Sequence, residues 1–182
     1  MEQKLRFGSQ FDEDKIIARL LRGITPKSNV FCDIGARSPF HWSNSYELGL
    51  QGWRIYYYER TDVSYYKLAD FNFPPGSCYI CRSVTPENVN YIVPSDVSIL
   101  SIDVDGNDYH IWSALAHEPD IVIIESDIRA GDAILPYDAK NEKRKGSGPK
   151  AITQLAYSKG YELHKMTGVN LIFLHRRFGT NN

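Results

Sequence analysis

Cysteine is scarce in this chain: Cys32, Cys78 and Cys81 are the only three in 182 residues, and an odd count gives no disulfide framework. Cys78 and Cys81 have the spacing of half a zinc site, but no second pair exists to complete four ligands, so all three read as small buried strand residues. Long apolar runs are missing too. Met1 to Gln10 holds no signal-peptide core and no later run is long enough to cross a bilayer, which gives the expectation of a soluble, cytoplasmic chain without a membrane partner. Nor does either charge dominate. With 21 basic and 22 acidic residues and a net charge of −1, bulk electrostatic binding to nucleic acid or to an anionic membrane is not expected. No G-x-G-x-x-G follows a strand, which disfavours a dinucleotide-dependent dehydrogenase, and there is no internal repeat or low-complexity tract.

What is there is an alternation of strands and helices in a length that suits a single domain over residues 1–182. Ile16, Ile17, Leu20 and Leu21 recur at helical spacing, predicting a leading helix within 1–25 with Asp12 as its cap. Strands are expected at Val30 to Ile34, Arg54 to Tyr58, Ser77 to Cys81, Val97 to Ile102 and Asp120 to Glu125. Between them, helices are expected at Ser43 to Leu50, Asp62 to Phe71, from Thr85 as cap with Pro86 at the first helical position, and at Asp108 to Leu115. The fourth and fifth strands are apolar at most positions, as in parallel strands covered on both faces. Periodicity then stops over 129–149, a long polar loop with a basic cluster at Lys140, Lys143, Arg144 and Lys145. Such a loop reads either as a lid that meets an anionic group or as a solvated connection. A helix over Lys150 to Lys159 follows, then Tyr161 to Lys165 and Val169 to His175 flank Met166-Thr-Gly168 as a terminal antiparallel hairpin.

Three of these strands end in acids. Leu100-Ser-Ile-Asp-Val-Asp-Gly-Asn-Asp-Tyr109 breaks from an apolar run into carboxylates around a glycine, while the first strand carries Asp33 before Gly35 and the second ends at Glu59. Open α/β sheets hold ligands at the carboxyl ends of their strands, so these ends point to one shared crevice. Asp103 ends an apolar strand and its charge needs a partner; Asp105 and Asp108 have the alternative uses of loop hydrogen bonding and helix capping. The string is not an EF-hand loop, because its glycine falls too early and no glutamate closes it. Asp103, Asp105, Glu125 and Asp127 end adjacent strands and offer oxygen ligands to a divalent ion, but a metal-free site is the expectation adopted. His41 and His110 are candidate general bases by virtue of imidazole's titration near neutrality.

The ordered set Asp33-Ile-Gly-Ala36, Ser43-Asn-Ser-Tyr46, Gly52-Trp-Arg54, Glu59, Ser101 to Tyr109 with Ile111 and Trp112, and Gly168-Val-Asn170 resembles the FkbM-type S-adenosylmethionine-dependent methyltransferases over about residues 30–175. The resemblance implies a Rossmann-like methyltransferase fold: α/β, a mostly parallel seven-stranded sheet with a C-terminal antiparallel hairpin and helices on both faces. It implies S-adenosyl-L-methionine as cofactor and O-methylation of a sugar or other small hydroxylated substrate. Cofactor contacts are then expected at Asp33, Gly35, Ala36, Arg37, Asn44, Glu59, Ser83 and Asp103, with Glu59 on the ribose hydroxyls. Asp103, Asp105 and His110 are the catalytic candidates, the acids orienting the substrate hydroxyl. Position 110 is usually aromatic in that family, which also allows His110 a place on the helix surface.

The chain departs from the family at two places. Where a second glycine and an acid usually follow the first strand, it reads Arg37-Ser-Pro-Phe-His-Trp42, stiffened by Pro39 and with Arg37 available to a carboxylate. The fifth strand ends Glu125-Ser-Asp127 where relatives tend to have glutamate, tyrosine and asparagine. These departures supply a second reading, a methyltransferase-like domain without activity that serves binding or assembly.

Overall fold

The structure is a computed structural model and describes residues 8–61, 72–140 and 145–179. Its sheet has seven strands in the order β3-β2-β1-β4-β5-β7-β6. These are β1 (Val30–Ile34), β2 (Arg54–Glu59), β3 (Cys78–Cys81), β4 (Ile99–Ile102), β5 (Ile121–Glu125), β6 (Tyr161–Met166) and β7 (Asn170–His175). The pairs β1–β2, β1–β4, β2–β3 and β4–β5 are parallel, and β7 enters antiparallel to both β5 and β6. The strand order reverses direction between β1 and β4, and this is where an open α/β sheet leaves a crevice.

Side chains alternate between two cores, as a two-residue strand period requires. Phe31, Ile55, Ile99, Ile121, Ile123 and Ile172 face α1 (Glu13–Leu20) and α2 (Tyr46–Leu50), packing with Ile17, Leu20 and Leu48. Cys32, Leu100, Ile102, Val122, Ile124 and Phe173 face α3 (Val89–Ile92), α4 (Asp108–Ala114) and α5 (Pro149–Ser158). Trp112 of α4 is fully buried there, its ring 5.5 Å from Tyr161 and 5.2 Å from Phe173. Both faces are therefore covered, and β5 is fully buried from Ile121 to Ile124 because helices pack on each side of it.

Several expected boundaries shift for physical reasons. The helix expected from Ser43 starts at Tyr46, because Ser45 spends its hydroxyl on Asp33 instead of capping and Ser43 in turn lies 3.1 Å from Ser45. Thr85 is not the N-cap: residues 86–88 form a turn, Pro86 lies in it before the helix, and Asn88 is the N-cap, its Oδ1 accepting from the Thr85 amide at 2.8 Å. That helix ends after four residues, since Pro94 pushes Val93 into extended backbone. Asp12 occupies the N-cap position of α1 without a side-chain cap bond, and its carboxylate pairs with Lys15 at 2.7 Å. Cys78 is half-buried and Cys81 exposed; three positions apart on an extended strand, they point to opposite faces and share no ligand. The helix expected at 62–71 lies outside the described residues. No helix among the described residues is long and apolar enough to cross a membrane.

Candidate functional site

Sheet register builds the site. Tyr58, Ile34, Ile102, Ile124 and Leu171 lie on one row across β2, β1, β4, β5 and β7. The next position on each chain is Glu59, Gly35, Asp103, Glu125 and Asn170 respectively, so one level of the sheet end carries three carboxylates around a glycine.

Gly35 has φ +86°, and a Cβ there would lie 1.6 Å from the carbonyl oxygen of Asp103. The close approach that this glycine permits is thus between the ends of β1 and β4, reinforced by the Asp103 amide donating to Ile34 at 2.9 Å. The amides of Gly35 and Ala36 donate to the Tyr58 carbonyl at 2.8 and 3.2 Å. Ala36 is buried, while Arg37 is exposed with its amide donating to the Gly35 carbonyl. Beyond it, Ser38 accepts from the amides of Phe40 and His41, and His41 stacks on Trp42 at 4.6 Å.

Asp33 faces the α2 side and is almost fully buried, accepting from Ser45 Oγ at 2.8 Å. Burial pushes its carboxyl up to about 6 against the help of hydrogen bonds from Ser45 and Ser101. Asn44 Nδ2 donates to Ser101 Oγ at 3.1 Å, so Asp33, Asn44, Ser45 and Ser101 form one polar patch beneath the β1 loop. Glu59 is half-exposed at the β2 end, where its Oε1 accepts from the amide and hydroxyl of Thr61, both at 3.1 Å. Ser83 is exposed after β3, its carbonyl accepting from Asn88.

The β4–α4 turn is held by a buried acid. Asp108 accepts from the amides of Val104 and Gly106 at 2.8 and 2.9 Å, and burial followed by the charge of Asp103 pushes it up to about 7. This turn places Asp105 in the left-handed region at φ +59° and leaves it exposed. Carboxylate oxygens of Asp103, Asp105 and Glu125 come within 4.8 Å of one another. Solvent reaches Asp103, yet surrounding protein crowds its carboxyl enough to push it up to about 6. Burial and the neighbouring charges of Asp103 and Asp108 push Glu125 higher still. Both carboxyls are thus pushed upward by burial and by neighbouring acidic charge, and the pair titrates as a unit.

Of the four acids considered together from sequence, three converge. Asp127 instead forms a fork with Arg129, with N–O distances of 3.0 and 3.1 Å. The remaining three offer oxygen donors suited to a hard divalent ion, and equally to hydroxyl groups. His110 lies one turn into α4, and its Nε2 is 2.7 Å from the Leu135 carbonyl, which can only accept; that nitrogen is a donor here. Asn107 was not singled out from sequence. It is buried and makes two bonds to the backbone of Asp138, which no local pattern reveals because the partner lies 31 positions away.

The sequence matches no protein-family profile and no curated protein. Solved structures do resemble it. Monomeric WbdD aligns over 91% of this chain at 15% identity with a TM-score of 0.52, and the chain spans only 39% of that protein. The Burkholderia thailandensis 1,6-didemethyltoxoflavin-N1-methyltransferase, crystallised with 1,6-didemethyltoxoflavin and S-adenosylhomocysteine, aligns over 89% of this chain and 74% of its own length, at 11% identity and a TM-score of 0.52. The fold is the Rossmann-like methyltransferase fold. Open α/β sheets bind ligands outside the carboxyl ends of their strands at the switch point, and the acid-lined row lies at that place between β1 and β4.

The donor set there fits S-adenosylmethionine by chemistry. A carboxylate at the β2 end suits a ribose diol, the β4 acids suit an ammonium group, and the exposed Arg37 guanidinium suits a carboxylate.

Proposed function

We propose that this chain is an S-adenosylmethionine-dependent methyltransferase of FkbM-like type that methylates an oxygen of a small acceptor, a sugar or other small hydroxylated substrate being the class implied by the family resemblance. The observation that carries the reading is the convergence of Asp103, Asp105 and Glu125 at the ends of β4 and β5, next to the Gly35 bend. Bound S-adenosylmethionine would supply a methyl group made electrophilic by its sulfonium.

This chain's residues then bind and orient. Glu59 accepts the ribose hydroxyls, Arg37 pairs with the carboxylate, and the patch of Asp33, Asn44 and Ser101 sets the shape of the β1 loop with Gly35 and Ala36; Ser83 borders the adenine side. Asp103 accepts a hydrogen bond from the acceptor hydroxyl and takes its proton as the oxygen gains the methyl group, while Glu125 keeps its own proton as a hydrogen-bond donor to Asp103 and Asp105 accepts from a second hydroxyl. Alignment contributes more than base strength in such a transfer, so carboxylates crowded into one recess suffice. His110, with Nε2 on Leu135, positions the neighbouring loop instead of acting through that nitrogen.

The test is calorimetric titration of the full chain with S-adenosylmethionine and S-adenosylhomocysteine, with NAD as comparison and Glu59→Ala as control. Micromolar binding lost in Glu59→Ala supports the reading. Absence of binding to both favours the alternative, a fold retained for binding or assembly. One observation favours that alternative: the amides of Gly35 and Ala36 are already taken by the Tyr58 carbonyl.

A further inference from the structure

The ends of β4 and β5 are spanned by a bridge built from two distant parts of the chain. Ile123 and Ile172 pack in the core with α1, and the strand period carries Glu125 and Asn170 to that same face. Asp33 and Ser101 share the face by register, and Asp103 follows Ser101 by parity. At β7, the buried carboxylate of Glu13 accepts from Asn170 Nδ2 at 3.0 Å and from Thr167 Oγ1 at 2.7 Å. Ser9 Oγ donates to the Asp14 carboxylate and accepts from the Asp14 amide, so residues 9–14 close into a compact turn at the start of α1. The Phe11 ring seats that turn on Gly168, where a Cβ would fall 2.6 Å from it.

The other end of the turn reaches the loop that leaves β1. There the Gly8 amide donates to the Phe40 carbonyl at 2.9 Å, and Gly8 and His41 form a parallel bridge. The same loop is tied back toward β2 by the Tyr57 hydroxyl, which donates to the Pro39 carbonyl at 3.3 Å. This line of contacts begins on the β1 loop and ends on β7, and β4 and β5 lie between those two strands. It therefore passes the ends that carry Asp103 and Glu125, on the face to which parity assigns both. Arg37, exposed, stands three residues before Phe40 in the same loop.

We propose that the leading turn is a positioning element: by holding Phe40 through Gly8 it fixes the β1 loop beside the acids, and so aims Arg37 at the carboxylate of a bound cofactor. The assignment rests on the methyltransferase reading above. The amino-acid end of the ligand depends on the turn, whereas its adenosine end, on Glu59 and Ser83, does not.

The experiment titrates the full chain with S-adenosylhomocysteine and with 5′-methylthioadenosine, which keeps the adenosine and lacks the amino-acid end. Gly8→Pro deletes the amide hydrogen that holds Phe40. It is expected to weaken S-adenosylhomocysteine by about tenfold or more and 5′-methylthioadenosine by less than about twofold, with faster amide exchange over 38–41. Gly168→Ala, whose methyl would displace the Phe11 ring at the far end of the bridge, should give the same pattern and carries the test if Gly8→Pro fails to fold. Adding Arg37→Gln to either variant should cost no more than the larger single loss, because both changes act on one contact. Equal weakening of the two ligands, S-adenosylhomocysteine affinity unmoved, or additive losses in the double variants overturns the proposal and leaves the methyltransferase reading standing. Failure of the wild type to bind S-adenosylhomocysteine overturns that reading, and the proposal with it.

Discussion

Asn170 Nδ2 donates at 3.0 Å to Oε1 of Glu13, joining residues 157 positions apart at the ligand end of the sheet. Thr167 Oγ1 donates to the same oxygen at 2.7 Å and the Phe11 amide to the other at 2.8 Å. One buried carboxylate on α1 thereby ties the leading segment to the β6–β7 turn and to the residue opposite Glu125.

Burial alone would raise the pKa of Glu13, but the bonds from Asn170, Thr167 and Phe11 outweigh it and hold the carboxyl below its ordinary value. Its contribution is present above the unfolded value and is lost as pH falls through the folded one. Glu13→Gln is expected to lower stability by about 2 kcal/mol at neutral pH, read as a melting temperature lower by roughly 4–8 °C. The deficit should shrink in acid; an equal deficit at pH 3 and pH 7 would show that packing, not charge, is at stake.

Gly35→Ala places a methyl carbon 1.6 Å from a backbone oxygen that no side-chain rotation can move. A loss of about 4 kcal/mol or more, or insoluble protein, is expected. Gly52→Ala is the control, since it shares a positive φ but meets nothing within 4 Å. It should cost only about 1 kcal/mol in denaturant unfolding.

Asp33 titrates near 6 in the folded chain because of its burial, well above the ordinary carboxylate value. A raised acid pKa means the folded state holds its proton longer, so the stability it confers is full below the unfolded value and is lost as pH rises through about 6. That loss is on the order of 3 kcal/mol. Unfolding free energies measured from pH 4 to pH 8 should fall in the wild type and fall less in Asp33→Asn; parallel curves would remove Asp33 as the source.

Asp103 and Glu125 are assigned different protonation states in the proposed reaction, and their substitutions should separate. Asp103→Asn removes the proton acceptor and is expected to reduce kcat by about a hundredfold or more. Glu125→Gln keeps a donor in place and should reduce kcat by only about tenfold. The wild-type rate should rise with pH through about 6, where Asp103 ionises, and that limb should vanish in Asp103→Asn. Equal losses in the two variants would contradict the assignment.

Much of the fold was legible in the residues themselves. Strand β1 begins and ends where its apolar run does, at Val30 and Ile34, and the hairpin around Gly168 lies where turn chemistry separates two apolar stretches. Parity along β4 puts Ser101 and Asp103 on one side of the sheet, because the period of two is a local property of extended backbone; that Asp33 and Glu125 share that side follows only from the strand register. Short helices were less legible. Ser45 and Thr85 have good capping chemistry, but a buried acid claimed the hydroxyl of one and a turn over 86–88 moved the helix start past the other, to Asn88.

The sequence by itself determined which residues could serve: acids at strand ends, a glycine where β1 turns, and apolar faces for two cores. Tertiary structure alone decided which of them meet. Only the register between distant strands brings Asp103, Asp105 and Glu125 together while sending Asp127 to Arg129, and only chain closure sets Asn107 and His110 on a loop some 25 to 31 residues away. Long-range hydrogen bonds carry no local signature, since any backbone carbonyl can accept them, and so the hold on that loop emerges from the fold and not from the string of residues.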